Sequence, residues 1–468
     1  MRNRRHGPAL RRPFRALVTT ALAIATAVPV ALVAIPGGPA GAASNTGVTK
    51  NSITIGATVP LTGPAAPGYS EIAPAMTAVF DWVNAHGGIF GRKIHYHYLD
   101  DKYNPATTAT LTRQLVLTQH VFATVGALGT PTQTGVQRYL NSRKIPQLFI
   151  ESGCNCWSTS KYPYSLGWQP PYTVDGKILG AYLKKNFAGK KIGELYQDTE
   201  FGKDFVKGIN KEVPAKSVVG QQTYNVTTLS GPLTPQIAAL KAAGATVVVL
   251  GTIPAATALA MLPAAAIGYH PTYVLDNVGA DQPTVGPLLA SFTSAGGGSA
   301  AEAKATAGLL DGVITDAYLP PEGTTSNPWV KVSSKLLKQY QPTLWSKHGL
   351  DGNTEYGVAL AYTFVQALQA AGKNLTRQSL MNALNTKAHG FATPGLVPLN
   401  YSKKVHYGFE GAEVVEASGT VPPLVNPTGT WPGTKVLSPV YTTTVGNGPV
   451  KKYKGKQPAV PKKLKKTA

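Results

Sequence analysis

Apolar and polar positions along the chain repeat with two different periods, and the two alternate. "SITIGATVPL" from Ser52 reads as a strand running into a loop. In "IAPAMTAVFDWVNAHGG" the residues Ile72, Met76, Val79, Phe80 and Val83 share one helical face, and Gly87–Gly88 can end the helix. "KIHYHYLDD" alternates as a strand, and "VFATVGAL" and "IPQLFI" are short apolar strands, each following a helix. "KIGELYQD", "ATVVVLG", "PTYVLD" and "LDGVITDAYL" continue the series. Strands alternating with helices predict an α/β protein whose parallel sheets are doubly wound, with helices on both faces.

Four dipeptides mark helix starts: Asn104–Pro105, Thr130–Pro131, Thr234–Pro235 and Asn327–Pro328. The side-chain oxygen is expected to accept an orphan amide, while proline has no amide to orphan. In open α/β sheets, ligands collect beyond the carboxyl ends of strands, where helix N-termini point amides outward. "VGALGTPTQTG" is such a junction, with Thr130 as the expected cap, and "FIESGCNCWS" is the next. Together they predict a binding rim for a small anion such as a carboxylate.

At 468 residues the chain exceeds one ordinary core, which predicts two lobes. The formal charge of +22 resembles a nucleic-acid signal until it is located. Residues 1–42 carry six arginines and no acid, and 447–468 carry eight lysines and no acid. The body has no basic stripe with interleaved aromatics, which argues against nucleic acid. The first 43 residues read as a cleaved export signal: arginines, then "ALVTTALAIATAVPVALVAI", then small residues. "RRPFRAL" leaves Sec and twin-arginine export both open. No cysteine lies near the cleavage site, so the expected product is an exported, envelope-associated or extracellular protein that is not a lipoprotein.

Taken together, "ITIGATVPLTGPAAPGY", "VNAHGGIFGRKIHYHYLDDKYNP", "VGALGTPTQ", "KIPQLFIESG", "YSLGWQP", "LYQDTEFGKDFVKGI" and "DGNTEYGVALAYTFVQAL" resemble, in order, one known family. It is the type I periplasmic binding fold, in the branch serving ABC transporters of branched-chain amino acids. The resemblance spans about residues 47–416. It implies two lobes joined by a three-strand hinge, with lobe one at 47–170 plus 320–395 and lobe two at 171–319 plus 396–446. It implies closure on a small solute, recognition of the closed form by an ABC permease, no cofactor, and a monomer. Carried over residue by residue, Thr130 with Gly129 would hold the ligand carboxylate. Gly153, Cys154 through its backbone, and Asn155 would add contacts from the next loop. Phe201 and Tyr69 would supply aromatic walls. Asp276 or Asn277 would meet the ligand's ammonium; if Asn277 does, the charge partner is missing, which leaves room for amides or aromatic acids.

Other features stay open. Cys154 and Cys156 are either a tight disulfide or two thiols, and too few ligands for a metal site. His95 and His97 share a strand face that is expected to be partly exposed. The aromatics of "GWQPPY" line the cleft or pack the hinge. The tail 447–468 reads as a basic, disordered end with the Pro/Gly/Thr stretch 417–449 as tether, and anionic envelope polymer is its candidate partner. The chain holds no G-x-S-x-G, H-E-x-x-H or Walker A motif, and Asp100–Asp101 point to opposite strand faces. Enzymatic activity is therefore not expected. A ligand sensor of the same fold is the alternative, and an exported hydrolase ranks last.

Overall fold

A computed structural model describes residues 46–321, 324–417 and 434–467. The expected export signal at 1–43 lies outside the described residues, as does the span 418–433 of the tether expected across 417–449. The first lobe opens with β1 (Ser52–Val59), α1 (Ile72–Ala85), β2 (Lys93–Asp100), α2 (Pro105–Leu117), β3 (Ala123–Val125), α3 (Thr130–Ser142), β4 (Gln147–Ile150) and β5 (Ser165–Gly167). Its sheet is parallel throughout, in the order β2-β1-β3-β4-β5.

The chain then enters the second lobe through α4 (Tyr172–Asn186), β6 (Ile192–Gln197), α5 (Glu200–Glu212), β7 (Val218–Tyr224), α6 (Thr234–Ala242), β8 (Val247–Gly251), α7 (Pro254–Ala266), β9 (Thr272–Leu275), α8 (Gln282–Ala295), α9 (Ala300–Ala307) and β10 (Ile314–Ala317). It returns to pack α10 (Pro328–Tyr340), α11 (Pro342–His348), α12 (Gly352–Ala371) and α13 (Arg377–Lys387) on the first lobe. A last crossing leads to β11 (Gly411–Ala417), β12 (Thr434–Val436), β13 (Tyr441–Thr442), β14 (Lys451–Lys452) and α14 (Lys462–Thr467). The second sheet runs β7-β6-β8-β9-β10-β11-β13-β14, parallel up to β10 and antiparallel beyond it, with β12 also on β11. Strands β4 and β8 are buried at every position, as expected where helices cover both faces. Both sheets lie within one compact unit, and no helix among the described residues is long and apolar enough to cross a membrane.

The three crossings converge on aromatic rings. Trp168, from the first, is fully buried. Its ring meets Tyr318 of the second crossing at 6.2 Å and Phe409 of the third at 5.1 Å, both edge-on. Main-chain bonds tie the same segments: Gly167 N to His406 O at 2.8 Å, and Leu396 N to Tyr318 O at 2.8 Å. The Trp of "GWQPPY" therefore packs the hinge.

All four proline dipeptides stand at helix starts, but only the two asparagines cap as expected. Asn104 accepts from the amides of Ala106 and Thr107, and Asn327 from that of Trp329. The two threonines do not cap. Gly129 and Leu233 hold the cap positions, and Thr130 and Thr234 are the first helical residues. At Gly129 the backbone has φ +106°, and a Cβ there would lie 2.6 Å from both Thr132 Oγ1 and the Tyr103 ring. Glycine alone fits that turn, so the cap falls one residue earlier than the dipeptide suggests.

The C-terminal segment departs from expectation. β13 and β14 extend the second sheet, and the chain then crosses to α10 of the first lobe. There Trp329 Nε1 donates to Pro458 O at 2.7 Å, Asn327 Nδ2 to Gln457 Oε1 at 3.0 Å, and Val460 and Leu464 are buried. On the lobe-two side, the buried ammonium of Lys177 donates to Thr443 Oγ1 and to the carbonyls of Thr444, Gly446 and Gly448. Residues 447–464 are thus a packed strap, not a solvated tail, although Lys451, Lys452, Lys454 and Lys456 are exposed along it. The lysine density hid a few apolar anchors whose partners are remote in sequence. Ending the chain at Asn447 should lower the unfolding free energy by about 2–4 kcal/mol, from lost apolar burial and the lost Trp329 bond. Urea unfolding checks this, and an unchanged midpoint would show that the strap contributes nothing.

Candidate functional site

A cavity of about 190 Å³ lies between the lobes. Its walls come from residues just beyond the carboxyl ends of β3, β4, β8, β9 and β10, where parallel strands give way to helices. Lobe one contributes Tyr69, Tyr103, Gly129, Thr130, Glu151 and Tyr356. Lobe two contributes Tyr172, Phe201, Ile253, Asn277, Asp316 and Tyr318.

Local chemistry places each wall. At the end of β2 the adjacent carboxylates serve different loops. Asp100 accepts from the amides of Leu61 and Thr62 and from the Thr62 hydroxyl. Asp101, fully buried, accepts from Tyr103 N at 2.9 Å and Thr108 Oγ1 at 2.7 Å, which fixes the turn that carries Tyr103 to the cavity. Thr130 opens α3, and its hydroxyl pairs with Ser152 Oγ at 2.7 Å. The first-turn amides of α3 have no partner within the helix, so this end of the cavity offers donors to an anion. Tyr172 packs on Phe201 with ring centroids 4.6 Å apart. Its amide donates to Gly153 O at 2.7 Å.

Of the residues singled out from sequence, Tyr69, Gly129, Thr130, Phe201 and Asn277 line the cavity. Gly153, Cys154, Asn155 and Asp276 do not. Gly153 backs onto the hinge, where a Cβ would strike Pro170 O. Cys154 is buried and bonded to Cys156, with Cα atoms 5.1 Å apart. The bonded loop turns Asn155 toward lobe two. Its amide donates to Asp204 Oδ2 at 2.9 Å, and its Nδ2 donates to Asp204 Oδ1 at 2.9 Å and Thr173 Oγ1 at 2.7 Å. Asn155 therefore clamps the lobes together instead of facing a ligand. Asp276 is wholly buried and caps the turn at Asn277–Gly279 by accepting from Val278 N at 3.0 Å. His95 and His97 are exposed on β2.

Four carboxyl groups that line the cavity, Glu151, Asp281, Asp316 and Glu355, escaped the sequence reading, and two of them stand out. Glu151, at the end of the fully buried β4, has no hydrogen-bond partner on either side-chain oxygen, and burial pushes its carboxyl well above the ordinary range. Asp316, on β10, accepts from Asn277 Nδ2 at 2.9 Å and from Asn277 N at 3.3 Å. Behind it lie Asp175 and Asp276, both fully buried; burial first, then the charge of Asp316, raises each of them. No lysine, arginine or histidine is among the described residues that line this cavity. Asn277 thus does face the cavity, and the charge that its amide lacks stands directly behind it on Asp316. The visible signal was an acid in an otherwise apolar strand, "VITDAYL".

The lobes are closed around this space. Tyr69 Oη donates to Val278 O at 2.9 Å across the cleft. Gly352 N, at the start of α12, donates to Asp281 Oδ1 of lobe two at 3.0 Å, and Asn353 Nδ2 donates to Thr284 Oγ1 at 3.1 Å. The arrangement can accept an anionic end at α3, an amino end at Asn277–Asp316, and an apolar middle between tyrosine, phenylalanine and isoleucine side chains.

Known proteins place this architecture. A family described as periplasmic binding protein matches residues 52–419. A Leu/Ile/Val-binding protein homolog from Brucella melitensis is 24% identical over 217 residues, which is 42% of this chain and 54% of that protein. The match therefore spans about half the length of that curated relative. Among solved structures, a fatty acid ABC transporter substrate-binding protein from Thermomonospora curvata superposes with a TM-score of 0.69 at 20% identity, covering 86% of this chain and 95% of that one. A branched-chain amino acid ABC transporter protein from Thermus thermophilus with bound valine gives 0.67 at 17% identity, covering 85% and 98%. These likenesses confirm the two-lobed α/β fold.

Asp316 makes a pH prediction. Burial pushes its carboxyl up to about 6. An acid whose folded value is raised favours folding while protonated and loses that contribution as pH climbs from the ordinary value near 4 to about 6. Asp316→Asn should flatten the fall in stability over that window by about 1–3 kcal/mol. Denaturant melts at a series of pH values check this, and parallel curves for both proteins would contradict it.

Proposed function

The chain belongs to the periplasmic binding protein family, and on that premise we propose that it is an extracytoplasmic solute-binding protein. Its lobes close on a small carboxylate-bearing solute, a branched-chain amino acid or a related amide or aromatic acid. The closed form is then presented to an ABC permease. The observation that carries this reading is the cavity between the lobes, with the start of α3 at one wall and Asn277–Asp316 at the other.

Size supports a small ligand. A cavity of about 150 Å³ holds benzene, and the space here, about 190 Å³, suits a molecule of amino-acid dimensions better than an extended acyl chain. Chemistry supports two polar ends. The carboxylate lies against the first turn of α3, with the Thr130 hydroxyl beside it. The amino or amide end lies against Asn277, where Asp316 supplies the opposing charge that a buried ammonium requires. The apolar middle meets Phe201, Ile253 and the tyrosine rings. Binding is the whole activity, and the solute leaves unchanged.

Closure follows from differential contact. A solute that touches both walls gains its full set of interactions only when the lobes meet, so it shifts the population toward the closed form. The bonds from Tyr69 to Val278 and from Gly352 to Asp281 are then made at the same time.

A thermal-shift screen of the mature protein against amino acids, amides and aromatic acids should return a stabilising hit. Calorimetry on that hit should show Thr130→Ala binding roughly ten-fold more weakly, the loss of about one charge-assisted hydrogen bond. Thr130→Ser should retain most of the affinity. Equal affinity in all three proteins would remove Thr130 from the site, and conversion of the solute to a product would overturn the reading.

A further inference from the structure

We infer that Glu71, His348 and Asp351 form a site for a transition-type divalent cation at the edge of the cleft. The three residues arrive from separate segments. Glu71 ends the short turn before α1, His348 is the last residue of α11, and Asp351 is the N-cap of α12. One donor atom from each lies within 4.8 Å of the other two. His348 Nδ1 is 2.9 Å from Glu71 Oε1.

Burial makes this trio unlike a surface acid cluster. Glu71 is 8% exposed and Asp351 is 2% exposed. One oxygen of Asp351 is engaged, accepting from Thr354 N at 2.7 Å. The other oxygen of Glu71 is buried with no hydrogen-bond partner. The Glu71 and Asp351 carboxyl groups also meet each other directly, and two buried carboxyl groups in such contact either share a proton or take a cation in its place. Lys347 is the nearby base that acts on Glu71, while Asp281 from lobe two adds a further negative group beside Asp351. A divalent ion would supply that cation at one point.

The donor set narrows the ion. Two carboxylates and one imidazole, with His348 side chain 27% exposed and so open to entry, leave coordination positions for water. Calcium and magnesium prefer all-oxygen shells, whereas an imidazole suits zinc and its neighbours, and carboxylates admit manganese. Ligand atoms about 2.1 Å from one tetrahedral ion stand about 3.4 Å apart. The trio needs to contract by little more than an ångström, and His348 at the end of a seven-residue helix can supply that movement.

The location gives the ion a consequence. Gly352 and Asn353, which hold the lobe-two residues Asp281 and Thr284, directly follow Asp351. A cation on Asp351 would fix the first turn of α12, which carries those cross-cleft donors, and would offset the charge that opposes Asp281. The inference does not depend on which solute the cleft takes.

The test uses the mature protein, freed of metal with a chelator, and titrates zinc chloride and manganese chloride separately by calorimetry, with thermal unfolding as a second readout. One ion per chain is expected for at least one of the two metals, with a raised unfolding temperature. His348→Ala and Glu71→Gln should each weaken binding ten-fold or more, and replacing His95 and His97 together by alanine should leave it intact. His348 is partly exposed, so its variant should fold even if a Glu71 variant does not. Absence of saturable binding by either ion, or equal affinity in wild type and His348→Ala, would overturn the site.

Discussion

The packing of Trp168 governs the rest of the structure. The indole stands where the chain passes between its two sheets, and each pass presses a ring or a backbone segment against it. Tyr318 and Phe409 meet it edge-on, Tyr356 comes from α12 at 4.9 Å, and Thr363 Oγ1 accepts from its Nε1 at 3.2 Å. Gly408 is glycine because a Cβ would run into Trp168 O. Edge-to-face rings add about 0.5–1.5 kcal/mol each beyond area burial. A joint of this kind is stiff in position, yet its three segments are single strands of chain that can twist. Because this joint fixes the two sheets, their carboxyl ends face one another and the cavity is the remaining space.

Electrostatics then shapes what that space can take. The two lobes bring Glu151, Asp316 and the carboxyls behind Asp316 toward a cleft whose described walls carry no basic side chain. Burial pushes these acids up, since ionising them together would place like charges in a poorly solvated region. Positive potential in the described walls comes from peptide dipoles at helix starts, that of α3 among them. A ligand with neither an anionic nor an amino end would leave polar groups of the walls unpaired. The apolar middle is left to size and shape.

The alternation of strands and helices was legible because both periods are written in the apolar residues themselves. The Asn-Pro helix starts were legible because cap and amide are neighbours in sequence. Thr130 was placed at the cleft for a sound reason, the strand-to-helix junction, yet its capping role fell to Gly129, whose φ is a property of the turn and not of the dipeptide. Asn155 was misassigned because the direction of its loop depends on the Cys154–Cys156 bond and on Asp204, 49 residues away. Glu151 and Asp316 were missed because an acid at a strand end is unremarkable until the face it points to is known. The strap was missed because its partner Trp329 lies 129 residues from Pro458. Contacts that are remote in sequence and made by few residues leave no periodic trace.

Closure must also be reconciled with that strap. It leaves lobe two from β14, with Lys177 bound into the preceding loop, and seats Pro458, Val460 and Leu464 on lobe one beside α10. The bonds that hold the cleft shut are few and polar: Tyr69 to Val278, Gly352 to Asp281, Asn353 to Thr284, Asn155 to Asp204. Each exchanges for a bond to water at a net cost of about 1 kcal/mol, so opening by a hinge motion is inexpensive on the cleft side. The strap's apolar seat is costlier to break, because Val460 and Leu464 would be returned to water. Opening that keeps this seat therefore parts the polar bonds across the cleft while the strap and the Trp168 joint stay in place.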